Sequence, residues 1–160
     1  DLVVFFGGKA VFFTVAWVIP MMFHPWWVVL GLYFAATYVM GLVLSVVFQL
    51  AHCVEEAEFP MPRVDTGRMD SDWAVHQVQT TVDFGQGNRL LSWYIGGLNF
   101  QIEHHLFPHI CHIHYPALAP VVADTCKEYG LRYTAQPTFC AGLVSHFRWL
   151  RRMGMAEAST

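Results

Sequence analysis

Residues 26 to 51 read WWVVLGLYFAATYVMGLVLSVVFQLA and contain no Asp, Glu, Lys, Arg or His side chain. A helix needs about 20 apolar residues to cross the hydrocarbon core of a bilayer, so this stretch predicts a transmembrane helix. The stretch from about residue 9 to 24 is also apolar, and it spans if Lys9 extends its amine to one interface. The two stretches predict a helical hairpin that turns at His24 and Pro25.

The composition agrees with a membrane protein in contact with a lipid bilayer. Hydrophobic residues make up 55% of the chain and charged residues only 13%, whereas soluble proteins usually carry about 25% charged residues. The net charge is −3, and the basic residues form no stripe of the kind that a phosphate backbone requires. We therefore expect no nucleic acid partner. The four cysteines form no Cys-x-x-Cys pair, which predicts free, buried thiols in a reducing compartment.

The distribution of basic residues predicts the orientation of the hairpin. Its turn contains no Lys or Arg, whereas all the arginines follow the second apolar stretch, among them Arg63, Arg68, Arg148, Arg151 and Arg152. Since cytoplasmic segments carry the excess of basic residues, the turn should face outward and both chain ends should be cytoplasmic. The predicted fold is an all-α membrane protein, in which a transmembrane hairpin precedes a cytoplasmic helical cap formed by residues 52–160.

The predicted cap begins with a surface loop and continues as helices. The loop is acidic and contains prolines and a glycine. Residues 73–83 fit a helix and a strand equally well, and residues 85–88 predict a turn. Beyond that turn, the apolar spacing and the positions of Pro and Gly predict helices over residues 90–106, 116–129 and 138–154.

Five of the nine histidines lie within residues 97–116, GLNFQIEHHLFPHICHIHYP. On a helix, Gln101, His104 and His105 fall at positions i, i+3 and i+4 and therefore share one face. Imidazole is a ligand for iron, copper, zinc and nickel. Because desolvating several imidazoles beside a bilayer is costly without a partner, this face predicts a metal site.

His52 ends the long apolar stretch, where an ionisable residue is a candidate for function. We interpret it as a further ligand, and the alternative is a positive charge at the C-terminus of the helix. Glu55 and Glu56 follow one turn later. They are predicted to be solvated loop residues, and the alternative is a carboxylate ligand or a hydrogen-bond acceptor for a ligand.

The remaining histidines are predicted to support the site or the fold. The HICHIH segment lacks the spaced second pair of ligands found in structural zinc sites. Its histidines are therefore interpreted as orienting the neighbouring ligands through hydrogen bonds. His76 stays open between such a supporting role and a plain surface position. Structural roles are predicted for His24 and His146.

The segment QIEHHLFP resembles the third histidine box, Gln-x-x-His-His, of membrane fatty acid desaturases, in particular the front-end acyl-lipid or acyl-CoA desaturases of bacterial type. The segments WAVHQVQTTVDFG and HYPALAPVV are similar to the same group, so the resemblance covers nearly the whole chain. It implies a pair of iron ions that uses O₂ to introduce a double bond into a fatty acyl chain. It also implies an electron donor such as cytochrome b5 or a ferredoxin. The implied iron ligands are His52, Gln101, His104 and His105. The candidates for supporting residues, His76, His109 and His112, come from the hydrogen-bonding argument above and not from the resemblance.

The first two histidine boxes of that family, His-x-x-x-His and His-x-x-His-His, have no counterpart, because no histidine precedes His24. The expectation is therefore a C-terminal part of one desaturase domain, inactive by itself, in a bacterial inner membrane. The first residue, Asp1, agrees with this expectation.

Three other functions compete with desaturation. A related di-iron lipid hydroxylase or carotenoid ketolase would use the same histidines but insert oxygen. A haem-carrying membrane electron carrier would need paired histidines inside the spans, which the apolar stretches lack. The third is a membrane fragment without catalytic activity.

Overall fold

The computed structural model describes the backbone of residues 1 to 157 and the side chains of residues 1 to 155. The chain is mostly helical, as predicted, and divides into two compact units, Asp1–Leu44 and Ser45–Thr160. Its helices are α1 (Leu2–Phe13), α2 (Ile19–Phe23), α3 (Trp26–His52), α4 (Trp73–Thr80), α5 (Arg89–Tyr94), α6 (Gln101–Leu106), α7 (Tyr115–Glu128) and α8 (Phe139–Glu157). The strands are β1 (Asp83–Phe84) and β2 (Ala135–Gln136).

The first unit is built from two helical segments long and apolar enough to cross a membrane, Leu2–Phe23 and Trp26–His52, the second of which continues past Leu44. Their mean hydropathies are 2.1 and 2.0, and almost none of their residues are buried in the protein. Exposed apolar side chains at this density suit a lipid environment and would be costly in water. The first segment begins at Leu2, ahead of the start predicted near Lys9.

A π-helical turn, Thr14–Val18, joins α1 to α2. The N–H of Ile19 donates to the carbonyl of Thr14, five residues earlier. Pro20 follows directly and has no N–H to donate, and its ring would clash with a carbonyl four residues back in a regular α-helix. The widened turn is therefore the local response of the helix to Pro20.

In the second unit, the residues that follow α3 are tied to α8. The Ser145 hydroxyl, which is 4% exposed, donates to the Glu56 carboxylate and accepts from the Glu55 N–H at 3.0 Å. Arg152 pairs with the Glu55 carboxylate, and His146 Nδ1 lies 2.6 Å from the Cys53 carbonyl oxygen. The prediction that Glu55 and Glu56 are solvated loop residues is therefore wrong. Both are partly buried, because α8 binds them.

Replacing Ser145 by alanine should loosen this attachment. The change leaves the Glu55 N–H without its acceptor and the Glu56 carboxylate without a donor, which should cost about 1–3 kcal/mol of stability. Thermal unfolding of the chain in detergent, followed by circular dichroism, measures the loss. Ser45→Ala, at an exposed position on α3, is the matched control and should unfold like the wild type. Equal unfolding temperatures for the two variants would contradict the prediction.

Residues 73–83, which the sequence left open, contain both kinds of structure. The α4 helix ends at Thr80, and β1 then pairs in parallel with β2, with Asp83 opposite Ala135. The predicted helical fold is therefore confirmed as mostly helical, with one short strand pair that the sequence did not predict. The pairing is only two residues long, but it brings Asp83 beside the segment that leads into β2.

The predicted helix over residues 90–106 is also wrong, because the chain forms two short helices there. The Asn88 side chain accepts from the Leu91 N–H at 3.0 Å and caps α5. The interruption lies at Gly96 and Gly97, whose φ angles of 63° and 76° are left-handed. Glycine adopts this conformation at little cost and commonly ends helices in this way.

The helix α6 packs between α4 and α7. Its buried Ile102 side chain contacts Val78 of α4 together with Val122 and Cys126 of α7. The predicted helices after residue 115 are confirmed as α7 and α8.

All four cysteines are free, as predicted, but only Cys126 is fully buried. Cys53 is partly buried, and Cys111 and Cys140 are exposed. The prediction of four buried thiols is therefore wrong for Cys111 and Cys140. Cys111 lies just before the turn at His112, and Cys140 lies near the start of α8.

Candidate metal centre

The fold brings together three of the histidines that the sequence singled out. His52 is the last residue of α3, and His104 and His105 lie on α6. The ring centroids of His52 and His105 are 5.0 Å apart, and those of His104 and His105 are 5.7 Å apart. The end of a membrane-length helix and the histidine-rich helix therefore present adjacent imidazoles.

Each of the three rings makes a hydrogen-bond contact through its Nδ1 atom. His52 Nδ1 lies 3.3 Å from the Thr80 carbonyl oxygen, His105 Nδ1 lies 2.9 Å from Gln77 Oε1, and His104 Nδ1 lies 3.3 Å from the Tyr115 hydroxyl. A carbonyl oxygen can only accept, so His52 and His105 donate from Nδ1 and keep the lone pair on Nε2. Histidines that bind metals are typically oriented in this way by a partner on the other ring nitrogen.

The electrostatic environment keeps His105 neutral. Burial, with smaller contributions from the neighbouring His52 and His104, lowers its pKa to about 4. A neutral imidazole is the form that binds a metal ion. The ring is therefore already in that form at neutral pH.

Gln101, the first residue of α6, is fully buried. Neither its amide oxygen nor its amide nitrogen has a hydrogen-bond partner among the described residues. Buried polar groups are nearly always paired, and an unpaired one points to a missing partner such as a bound ion or water. Gln101 lies one helical turn before His104 on α6, so its unpaired amide fits a metal site beside the histidines of that helix.

The other candidate residues do not join the three clustered rings. In residues 1 to 155, no hydrogen bond or ring contact connects them to His52, His104 or His105. The exposed candidates are His109 and His112, and the neighbouring His114 is exposed as well. His76 on α4 is half-buried, and its Nδ1 atom is buried without a partner. Their supporting roles stay predictions.

The described residues do not converge into a complete metal cage. In residues 1 to 157, no group of three or more His, Cys, Asp or Glu side chains is close enough together to hold a metal ion. The three clustered imidazole rings and the unpaired amide of Gln101 nevertheless fit the ligand chemistry of iron. They form part of a ligand set.

A buried acidic cluster supports α6, and the sequence did not predict it. Asp83 and Glu103 are both fully buried. The Tyr133 hydroxyl lies 2.7 Å from Asp83 Oδ2 and 3.0 Å from Glu103 Oε1, and Gln86 Nε2 donates to Asp83 Oδ2 at 2.7 Å. The one available signal was weak: Asp83 lies between Val82 and Phe84, and Glu103 directly follows Ile102.

The two carboxyl groups do not both ionise at neutral pH. Burial, the charge of Asp83 and a hydrogen bond to Asp83 together raise the pKa of Glu103 to about 8. Burial also raises the pKa of Asp83, and its hydrogen bonds oppose that rise. Glu103 therefore keeps its proton at neutral pH, since two adjacent buried carboxylates cannot both ionise.

Comparison with known proteins identifies the family. The fatty acid desaturase family model matches residues 4–137. The chain is 51% identical to the sn-1 linoleoyl-lipid 6-desaturase of Arthrospira platensis over 115 residues, which are 72% of this chain and 31% of that protein. It is 46% identical over 117 residues to the enzyme of the same name from Synechocystis sp., covering 73% and 33%.

A plant relative matches almost the whole chain. The acyl-lipid (8-3)-desaturase of Physcomitrium patens is 42% identical over 156 residues, covering 96% of this chain and 32% of that protein. This chain thus spans about a third of the length of these relatives. No solved structure gives a significant match. The family match covers most of the chain, including α6 with its two adjacent histidines, and the chain belongs to the fatty acid desaturase family.

Proposed function

We propose that this chain contributes part of the di-iron centre of a desaturase that introduces a double bond into a fatty acyl chain held on a lipid. The observation that carries the proposal is the common orientation of His52, His104 and His105, each engaged through Nδ1. Such partners fix the ring and leave Nε2 for the metal. Histidines with a purely structural role would not need such an Nδ1 contact on each of three adjacent rings.

The residues of the chain would hold iron and control its surroundings. His52, His104 and His105 would bind through Nε2, and the amide of Gln101 would add a ligand or hold a water molecule. When bound, iron supplies the O₂-dependent oxidation of an unactivated methylene pair, which side-chain acids and bases cannot perform. The ligands that these residues do not provide would come from residues outside the chain.

The substrate and the donor follow from the names of the relatives and from the electron count. Three relatives are named as desaturases of linoleoyl-lipids or acyl-lipids, which favours a lipid-bound acyl chain over acyl-CoA. Reducing O₂ to two waters takes four electrons. Two come from the acyl chain, so an external carrier such as cytochrome b5 or a ferredoxin must supply the other two. The two apolar helices would place the site at the cytoplasmic face of a bacterial inner membrane, because the arginines follow the second helix.

A chimera tests the function. This chain replaces the matching third of the Arthrospira desaturase, and the chimera is produced in cells that make linoleoyl lipids. We expect a new double bond, detected by gas chromatography of the fatty acid methyl esters, and iron in the purified membrane protein. Hydroxylated acyl chains would instead support the lipid hydroxylase. A membrane-inserted chimera with neither product nor iron would overturn the proposal in favour of a non-catalytic chain.

A further inference from the structure

The six-residue helix α6 carries Gln101, His104 and His105, and it is too short to be stable by itself. Its residue at the N-terminal cap, Phe100, has no side chain that can accept a hydrogen bond from the first turn. The free N–H groups of that turn need an acceptor from elsewhere in the fold. The orientation of the histidines is therefore set by tertiary contacts.

Asp83 supplies the missing acceptor. Its Oδ1 atom accepts from the Ile102 N–H at 2.8 Å, and the two residues lie 19 positions apart in the sequence. The Asp83 side chain is fully buried. A carboxylate at the N-terminus of a helix also interacts favourably with the helix dipole. Asp83 thus acts as a cap that is contributed from a distant strand.

The carboxylate is itself held on its other oxygen. Asp83 Oδ2 accepts from the Tyr133 hydroxyl and from Gln86 Nε2, both at 2.7 Å. Its backbone N–H donates to the Thr134 carbonyl at 3.1 Å, as part of the pairing of β1 with β2. The carboxylate therefore has little freedom to turn, and its position is transmitted to α6.

Apolar packing alone would not fix α6 to the same degree. The Ile102 side chain contacts Val78, Val122 and Cys126, which holds one face of the helix against α4 and α7. Apolar contacts are not directional, so they restrain sliding and rotation of α6 less strictly than a buried hydrogen bond does. The hydrogen bond from Ile102 N–H to Asp83 restricts those motions.

We propose that Asp83 is a positioning residue, which orients α6 through the Ile102 N–H so that His104 and His105 face the metal site, while Tyr133 and Gln86 hold its carboxylate. The role for metal binding rests on the proposed function. The orientation of α6 does not, because it concerns residues of this chain alone.

The test uses the full chain in lipid nanodiscs with ¹⁵N-labelled histidine. At about pH 8 the His105 ring is neutral, and its nitrogen shifts report which nitrogen carries the proton. In the wild type, His105 should be protonated on Nδ1, as its bond to Gln77 requires. In Asp83→Asn and Asp83→Ala, we expect the His105 signals to move toward an average of both tautomers. Hydrogen exchange at residues 102–105 should accelerate at least tenfold while α7 keeps its protection.

Asp72→Asn is the matched control, because Asp72 also precedes a helix but its exposed side chain makes no capping bond. It should leave both signals unchanged. Tyr133→Phe keeps the bond to Ile102 and removes one support of the carboxylate, so it should give a smaller change in the same direction. If the Asp83 variants do not fold, the His105 tautomer and the α6 exchange of Tyr133→Phe test the proposal instead. Unchanged His105 tautomers, or exchange that rises equally in α4, α6 and α7, would overturn the proposal.

The iron content of the chimera with the Arthrospira desaturase separates this proposal from the proposed function, because the chimera restores the ligands that this chain lacks. Asp83→Asn in the chimera should lower the affinity for iron about 10- to 100-fold, as is usual when the support of a ligand is removed. If the unsubstituted chimera inserts into the membrane but holds no iron, while the His105 tautomer and α6 exchange of the chain respond as expected, the orienting role of Asp83 stands and the proposed contribution to the metal site fails.

Discussion

A chimera with the Arthrospira desaturase that carries His105→Ala should make no detectable new double bond. His105 is one of three clustered rings, it is neutral by virtue of its burial, and Gln77 fixes its orientation. Removing a metal ligand should cost more than the roughly 10- to 100-fold that is lost when its support is removed. His104→Ala should have the same effect. Product analysis of membranes containing equal amounts of protein, together with iron content, measures the loss.

The control for these variants is His24→Ala. His24 is exposed at the turn between the first two apolar helices, outside the histidine cluster. As a surface change, it should alter product levels by no more than about twofold. All variants should insert into the membrane normally, since neither apolar helix is changed within its span. Normal product levels in both His104→Ala and His105→Ala would contradict the assignment of these residues as ligands.

Gly97→Ala should disrupt the approach to α6. An added Cβ would lie 2.8 Å from the Cβ of His112, and the φ angle of +76° is unfavourable for alanine. The left-handed conformation costs about 1–2 kcal/mol, and overpacking adds typically about 1–3 kcal/mol. Because the obstructing atom is next to the backbone, the segment around His112 must move. We expect a marked drop in unfolding temperature and a large loss of activity in the chimera.

Gly96→Ala separates the two causes. Gly96 has a similar φ angle of +63°, but no atom lies within 4 Å of the position of an added Cβ. Its replacement should show the conformational cost alone, and the difference between the two variants measures the steric conflict with His112. Equal losses of stability in Gly96→Ala and Gly97→Ala would refute the close approach.

The features that the sequence predicted correctly are local ones. The apolar run of α3 appears as a single helix of membrane length, because length and hydrophobicity alone decide whether a segment can satisfy its backbone in lipid. Gln101 and His104 both lie on α6, as the helical spacing requires, although the predicted long helix is two short ones.

The errors arose where contacts between distant residues decide the outcome. Glu55 and Glu56 read as solvated because their neighbours are polar, yet α8, some 90 positions later, binds them. Gly96 and Gly97 interrupt the predicted helix, and their left-handed conformation outweighed the apolar periodicity around them. Asp83 looked like an ordinary residue of an undefined segment, since its partners Ile102 and Tyr133 lie far along the chain.

By itself, the sequence determined two apolar helices and a helical face with adjacent histidines, because hydrophobic length and side-chain periodicity are properties of neighbouring residues. Only the tertiary structure decided which atoms orient those histidines. The Nδ1 contacts of His52 and His105 with Thr80 and Gln77 join residues 28 positions apart. Such contacts depend on how α3, α4 and α6 pack, and packing is a property of the folded chain that no local pattern encodes.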